Sequence, residues 1–238
     1  MKPKAVFVTG TDTGVGKTIV TGLLARFLKE TGHSVITQKW IQTGSSGLSS
    51  DIETHLEIMG SDKKDIRDYL SRVLPYIFKT PCSPHLASKI EGKKISAEKI
   101  KKSFKILSGE FDFVIIEGVG GALVPFNEKR LVIDIAKELD LAVLVVAGNK
   151  LGAINHTLLT IEALKNRGMK MLGVIFNNAK GEDKKILADN PRVIQALSGQ
   201  KNLGVLPWMK NYGQLYKKFI PIGNRVFSLL IRKHCCLN

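Results

Sequence analysis

The sequence predicts a three-layer α/β fold around a mainly parallel β-sheet. Short apolar runs alternate with stretches whose apolar residues recur at helical spacing, which is the pattern of consecutive strand–helix units. One run, Leu141–Ala147 (LAVLVVA), is apolar at every position, as expected of a central parallel strand covered on both faces. The first strand also passes into the first helix through a glycine-rich turn, Gly10–Thr18.

The elements follow in order. Lys4–Thr9 (KAVFVT) reads as a buried strand. Lys17–Lys29 carries Ile19, Val20, Leu23, Leu24, Phe27 and Leu28 at helical spacing and is stopped by Gly32. Ser34–Lys39 is a second strand, completing a βαβ unit with the glycine turn at its first corner. Trp40–Ser50, small and polar, reads as a loop, Asp51–Met59 as a helix, and Pro75–Pro84, with three prolines, as irregular. Leu86–Ile90 and Ala97–Leu107 read as helices and Phe111–Glu117 (FDFVIIE) as a strand that ends in "GVGG". Leu131–Leu139 is predicted helical, and the central strand Leu141–Ala147 leads to an amphipathic helix over Gly152–Arg167. Met171–Asn177 is a strand. Asp183–Leu197 is a helix expected to break at Asn190-Pro191. Leu203–Leu206 is a last short strand before Pro207-Trp208, and Tyr216–Lys233 has helical spacing. No repeat or low-complexity linker divides the chain, so residues 1–238 read as one domain. Their 44% hydrophobic content is enough for one sizeable core.

Composition excludes several classes of function. No apolar run approaches the roughly 20 residues that span a bilayer. The opening "KPKAVFVTG" has too short an apolar part for a signal peptide, so a cytoplasmic protein without a membrane partner is expected. The three cysteines, Cys82, Cys235 and Cys236, lack C-x-x-C spacing and suggest neither a disulfide framework nor a zinc site. The net charge of +15 is scattered in pieces such as "DKKD" and "EKIKK", beside acids and without interleaved aromatics. It reads as solvated helix faces rather than a nucleic-acid footprint.

The chemistry-bearing residues gather at strand ends, where open parallel sheets bind ligands. In "FVTGTDTGVGKT" the ending Gly16-Lys17-Thr18 is that of a phosphate-binding loop. The usual G-x-x-x-x-G-K-[ST] spacing would place the leading glycine at Thr11, and here it stands one residue earlier, at Gly10. Gly14 and Gly16 let backbone N–H groups turn towards a phosphate, and the helix that follows adds its positive end. Lys17 would neutralise the β/γ-phosphates and the Thr18 hydroxyl would ligate Mg²⁺. Asp51 and Glu117 supply further hard oxygens suited to Mg²⁺. Asp51, after Ser49-Ser50, is equally a helix N-cap, and the two roles are compatible. Lys39 ends a strand and, read alone, is a surface lysine. Asn177-Asn178 either reads a base through its amides or ends a strand in a turn. His85 and His156 lack metal-ligand spacing. His85 is placed to cap or line a helix start, and His156 reads as a packed helix residue.

Taken together, "VTGTDTGVGKT", "KWIQTG", "SPH", "VIIEGVGGALVP", "NKLGAINHTLLT", "GVIFNN" and "LGVLPW" resemble the dethiobiotin synthetases over about residues 5–208. The resemblance implies a P-loop NTPase-like parallel α/β fold and a homodimer. The implied reaction uses Mg²⁺, ATP and CO₂ to close a cyclic urea on 7,8-diaminononanoate through a carbamate and a carbamic-phosphoric anhydride. It makes Lys39 and Lys17 the catalytic lysines, reversing the reading of Lys39 as a surface residue. It places the nucleotide at Gly14, Val15, Gly16, Lys17, Thr18, Ile19, Asp51, Glu117, Gly118, Val119, Gly120, Asn177, Asn178, Leu206, Pro207 and Trp208. Thr18, Asp51 and Glu117 become the metal contacts. The substrate falls to Thr43 and, across the dimer interface, to Gly152 and Asn155 at a helix start. Trp40 stands where the family often has proline, and the segment after Trp208, with Cys235-Cys236, departs from the family.

The alternative within the same P-loop class is a partitioning or septum-placement ATPase. Those proteins carry a signature lysine at the position of Asp12, and an acid cannot supply that charge. A glutamine-dependent amidating synthetase would need a nucleophilic cysteine in a setting that none of the three cysteines has.

Overall fold

A computed structural model of the chain describes residues 4–47 and 49–232. Strand β1 (Lys4–Gly10), helix α1 (Lys17–Glu30) and strand β2 (Val35–Lys39) form the expected βαβ unit. Next come β3 (Ile41–Gln42), α2 (Ser50–Met59), a 3-10 helix at Lys63–Tyr69, α3 (Leu70–Val73) and β4 (Tyr76–Ile77). These lead to α4 (Pro84–Ile90), α5 (Ala97–Glu110) and β5 (Phe113–Gly121). The second half runs α6 (Val132–Glu138), β6 (Ala142–Asn149), α7 (Ala153–Asn166), β7 (Met171–Asn178), α8 (Lys184–Ser198), β8 (Asn202–Leu206) and α9 (Tyr212–Arg232).

Six strands make one sheet in the order β2-β5-β1-β6-β7-β8, and every neighbouring pair is parallel. The chain goes first to one edge with β2, returns inside it with β5, then crosses β1 and builds outward through β6, β7 and β8. The glycine turn after β1 therefore lies at the point where the winding reverses, the crevice in which such sheets bind ligands. Alternate side chains of the strands feed two cores, one on each face. Phe7, Ile116 and Val145 pack with residues of α2, α5, α6, α7 and α8. Val6, Val8 and Ile115 pack with Leu23, Leu24 and Phe27 of α1 and with Phe219, Ile222 and Val226 of α9. Three layers result. Strand β6 is buried over almost its whole length, as its unbroken apolar sequence requires.

The structure departs from the sequence expectations at several places, each with a physical reason. The segment Trp40–Ser50 is not simply a loop: Ile41–Gln42 pairs in parallel with Tyr76–Ile77, inside the region expected to be irregular. Trp40 anchors it, buried against Phe7 with ring centroids 5.2 Å apart and its Nε1 donating to Gln38 Oε1 at 2.8 Å. Glu117 does not end its strand, because β5 continues through the glycines to Gly121.

Helix α8 runs unbroken through Pro191. A proline deprives the carbonyl four residues back of its donor. That carbonyl, Leu187, instead accepts from Asn149 Nδ2 at 2.9 Å, while Asn190 Nδ2 donates to Asn149 Oδ1 at 2.9 Å. A side-chain network from β6 thus replaces the missing main-chain bond. His156, expected to be packed, is exposed, and the next residue, Thr157, is the buried one. The 3-10 helix and α3 have no clear signal in the sequence. Cys82 is a free thiol, whereas Lys233, Cys235 and Cys236 lie outside the described residues. Among the described residues, no helix is long and apolar enough to cross a membrane.

Candidate active site

The loop after β1 folds back tightly on its own start. Gly14 and Gly16 have φ of 68° and 98°, conformations that favour glycine, and Gly16 is the N-cap of α1. Gly10 is required for space: a Cβ there would lie 2.8 Å from Val15 Cγ2, 2.9 Å from the Asp12 carbonyl oxygen and 3.0 Å from Lys17 Nζ. The early glycine is therefore where the returning loop and its lysine cross the strand end. Lys17 Nζ donates to the Asp12 carbonyl at 2.8 Å. Burial pushes this ammonium down, and the charge of Lys39 adds to the effect. Glu117, Asp51 and Asp12 oppose it, leaving a pKa of about 8. The Asp12 carboxylate caps its own turn, accepting from the Thr13 N–H at 2.7 Å.

Four polar groups converge beside the loop. Lys39 Nζ lies 2.8 Å from Asp51 Oδ2 and 2.8 Å from Glu117 Oε1, and it donates to the Gly118 carbonyl at 3.0 Å. The Thr18 hydroxyl is 3.1 Å from both Asp51 Oδ1 and Glu117 Oε1. Burial works against charge on Lys39, but Glu117 and Asp51 outweigh it and hold its pKa above the ordinary lysine value. Burial likewise raises the Glu117 carboxyl, yet Lys39 and His55 together bring it down to about 2. Asp51 is not the cap of α2. Ser49 is, accepting from the Ile52 N–H, which leaves the Asp51 carboxylate free to turn into the site.

His55 belongs to none of the sequence motifs. It is wholly buried, and its Nε2 lies 2.8 Å from Glu117 Oε2. The available signal is its spacing: four residues after Asp51, it shares a helix face with it.

Two cavities meet at the loop. One, of about 320 Å³, is lined by Lys17, Thr18, Ile19, Lys39, Thr43, Asp51, Glu117, Val119 and Gly120. The other, of about 610 Å³, is lined by Val15, Ile19, Asn177, Asn178, Pro207 and Trp208. Gly14 and Gly16 border both. Asn177 Nδ2 donates to the Val15 carbonyl at 3.0 Å, so its amide braces the loop. Asn178 is held through its Oδ1 by Asn149 Nδ2 at 2.8 Å. Trp208 is 45% exposed at the rim, with Lys180 Nζ 5.0 Å from its ring centre. Of the other predicted residues, Gly118 contributes its carbonyl to Lys39. Leu206 is 0% exposed in the core and lines neither cavity. Gly152, the N-cap of α7 at φ 85°, and Asn155 are exposed and also stand apart from both cavities. His85 sits at the start of α4, its Nδ1 3.0 Å from Ser83 Oγ.

Geometry at this edge of the sheet is that of the P-loop nucleotide-binding class. A family model described as an AAA domain matches residues 4–214. Solved structures share the fold. A complex of Cyanothece McdA with ATP has a TM-score of 0.59 at 17% identity, covering 96% of each chain. The septum site-determining protein MinD of Pyrococcus horikoshii, complexed with Mg-ADP, has a TM-score of 0.55 at 20% identity, covering 100% of this chain and 97% of that one. Closer in sequence is the ATP-dependent dethiobiotin synthetase BioD 2 of Haemophilus influenzae, 45% identical over 73% of this chain and 91% of that one. The ATP-dependent dethiobiotin synthetase BioD of Chlorobaculum tepidum is 41% identical over 87% and 86%. The chain belongs to the dethiobiotin synthetase family.

Proposed function

We propose that this protein, residues 1–238 acting as one domain, is a cytoplasmic ATP-dependent ligase that converts 7,8-diaminononanoate, CO₂ and ATP to dethiobiotin, ADP and phosphate. The observation that carries the reading is the place of Lys39, buried between Asp51 and Glu117 in the cavity that joins the phosphate loop to Thr43. One amine of the substrate adds to CO₂ and loses a proton, giving a carbamate. A carbamate oxygen attacks the γ-phosphorus, the bond to the β-phosphate oxygen breaks, and ADP leaves. The second amine then attacks the carbamoyl carbon of the mixed anhydride, releases a proton, expels phosphate and closes the urea.

The first transfer brings an anionic nucleophile to an anionic phosphate. Lys17 and Lys39 flank that approach from the loop and from β2, and fixed positive groups in a partly dry cleft lower such a barrier. Thr18, Asp51 and Glu117 present a hydroxyl and two carboxylates, a set of hard oxygens that fits Mg²⁺ and would hold it. The ion, when bound, supplies charge neutralisation at the β- and γ-phosphates. The larger cavity suits the nucleoside, with Asn177, Asn178, Pro207 and Trp208 around the base. Gly152 and Asn155 serve the substrate of a second copy in a homodimer. Supporting this, exposed Leu151 (77%), Leu159 (55%) and Leu123 (50%) mark apolar surface near the start and outer face of α7.

The test is a reconstituted assay. Phosphate release should require Mg-ATP, bicarbonate and 7,8-diaminononanoate together. Hydrolysis that ignores the diamine and is stimulated by DNA would overturn the proposal.

A further inference from the structure

The two oxygens of Glu117 face different partners. Oε1 faces Lys39 Nζ at 2.8 Å and Thr18 Oγ1 at 3.1 Å, on the cavity side. Oε2 faces His55 Nε2 at 2.8 Å, on the core side. An ionised carboxylate only accepts, so Nε2 is the donor. The other ring nitrogen, Nδ1, is buried and has no hydrogen-bond partner among the described residues. His55 is thus entirely inside the protein for the sake of one polar contact, although an apolar side chain of similar size would fill the space without the desolvation cost. Helix α2 carries Asp51 and His55 one turn apart, so a single element delivers one group to the cavity and one behind Glu117.

We infer that His55 is a positioning residue that holds Glu117 with Oε1, and only Oε1, turned to the metal–nucleotide side. A glutamate carboxylate rotates about a soft terminal torsion. Lys39 is the nearest charge able to capture it. With Oε2 pinned by His55, the carboxylate cannot turn to put both oxygens on Lys39, and Oε1, which Lys39 and Thr18 share, stays on the side of Thr18 and Asp51. Partners behind a ligating group set its orientation in this way, and their loss commonly weakens metal affinity or activity. The inference rests on Glu117 being a Mg²⁺ contact.

The experiment uses the full chain and reads ADP binding by calorimetry over a range of Mg²⁺ concentrations, with thermal unfolding of the nucleotide-free protein as a check of folding. His55→Leu should raise the Mg²⁺ concentration needed for half-maximal ADP binding about tenfold. It should lower kcat with little change in KM for the diamine. His55→Gln, whose amide nitrogen occupies the place of Nε2, should restore most of both losses. A folded His55→Leu with the wild-type Mg²⁺ midpoint, or a His55→Gln as impaired as His55→Leu, would overturn the inference. Should His55→Leu not fold, His55→Asn, too short to reach Oε2, is read in its place by the same criteria. Glu117→Gln separates the two levels. If it leaves the Mg²⁺ midpoint unchanged, the metal reading of Glu117 fails first, and the inference falls with it.

Discussion

Lys39 and Glu117 are register partners in neighbouring parallel strands, and their side chains meet at 2.8 Å in a buried ion pair. They are 78 residues apart in sequence. The pair closes only because β5 inserts between β1 and β2. Strand register thus places the proposed catalytic lysine against a carboxylate at the mouth of the phosphate loop.

Replacing the lysine separates chemistry from binding. Lys39→Gln keeps a polar side chain but removes the charge that the proposed mechanism sets against the transferring phosphoryl group. Turnover should fall by about 10²- to 10³-fold, while Mg-ADP affinity stays near wild type. Steady-state phosphate release beside an ADP titration checks this. Near-normal turnover would remove Lys39 from the mechanism.

Lys17 should destabilise the nucleotide-free protein. Its pKa of about 8 lies below the 10.5 of the unfolded chain, so folding disfavours its charged form. For a lysine depressed in this way, the cost is complete below pH 8 and disappears as pH rises from 8 to 10.5. Lys17→Met should therefore be the more stable apo protein near neutrality, by an amount on the order of a few kcal/mol. Its advantage should fade across that window. Denaturant unfolding of both proteins at several pH values tests it, and a constant or growing difference above about pH 8 would contradict it.

At Gly10 the loop leaves no room for a methyl group. Gly10→Ala would press on Val15, the Asp12 carbonyl and Lys17 Nζ. ATP affinity should drop about ten- to a hundredfold from displacement of the loop. The cost to stability should be modest, about 1–3 kcal/mol. A fluorescent-nucleotide titration with a parallel melting curve distinguishes these effects.

Asn149 ties β6 to the proline of α8 and to Asn178. Asn149→Ala strands the Leu187 carbonyl, takes the donor from Asn178 Oδ1 and leaves Asn190 Nδ2 only the Lys150 carbonyl, so stability should fall by about 1–3 kcal/mol. Adding Pro191→Ala restores a main-chain donor to Leu187, and the double variant should recover part of the loss. No recovery would show that the network does not serve the proline.

Local chemistry made much of this legible in the sequence. The phosphate loop is contiguous, its glycines are needed for its own backbone, and the strand before it and helix after it each carry a clear period. Long apolar strands such as β6 declare themselves because both faces are covered. Residues whose meaning depends on a distant partner were less legible. Lys39 alone reads as a surface lysine, and only the family resemblance lifted that reading. Trp40 gave no sign that it packs on Phe7 and turns an apparent loop into a short paired strand. Pro191 promised a break that a side chain from another element prevents.

By itself the sequence determined the order of the six strands of the main sheet and of the longer helices between them, the phosphate loop with its displaced glycine, and the family. These rest on local backbone preference and on residue types matched at contiguous positions. Tertiary structure alone decided which groups share the cavity and how each is turned. Lys39 becomes a buried bridge between Asp51 and Glu117, and one oxygen of Glu117 is taken by His55. Such assignments depend on which strands become neighbours, and burial then forces every charge that enters to find its partner.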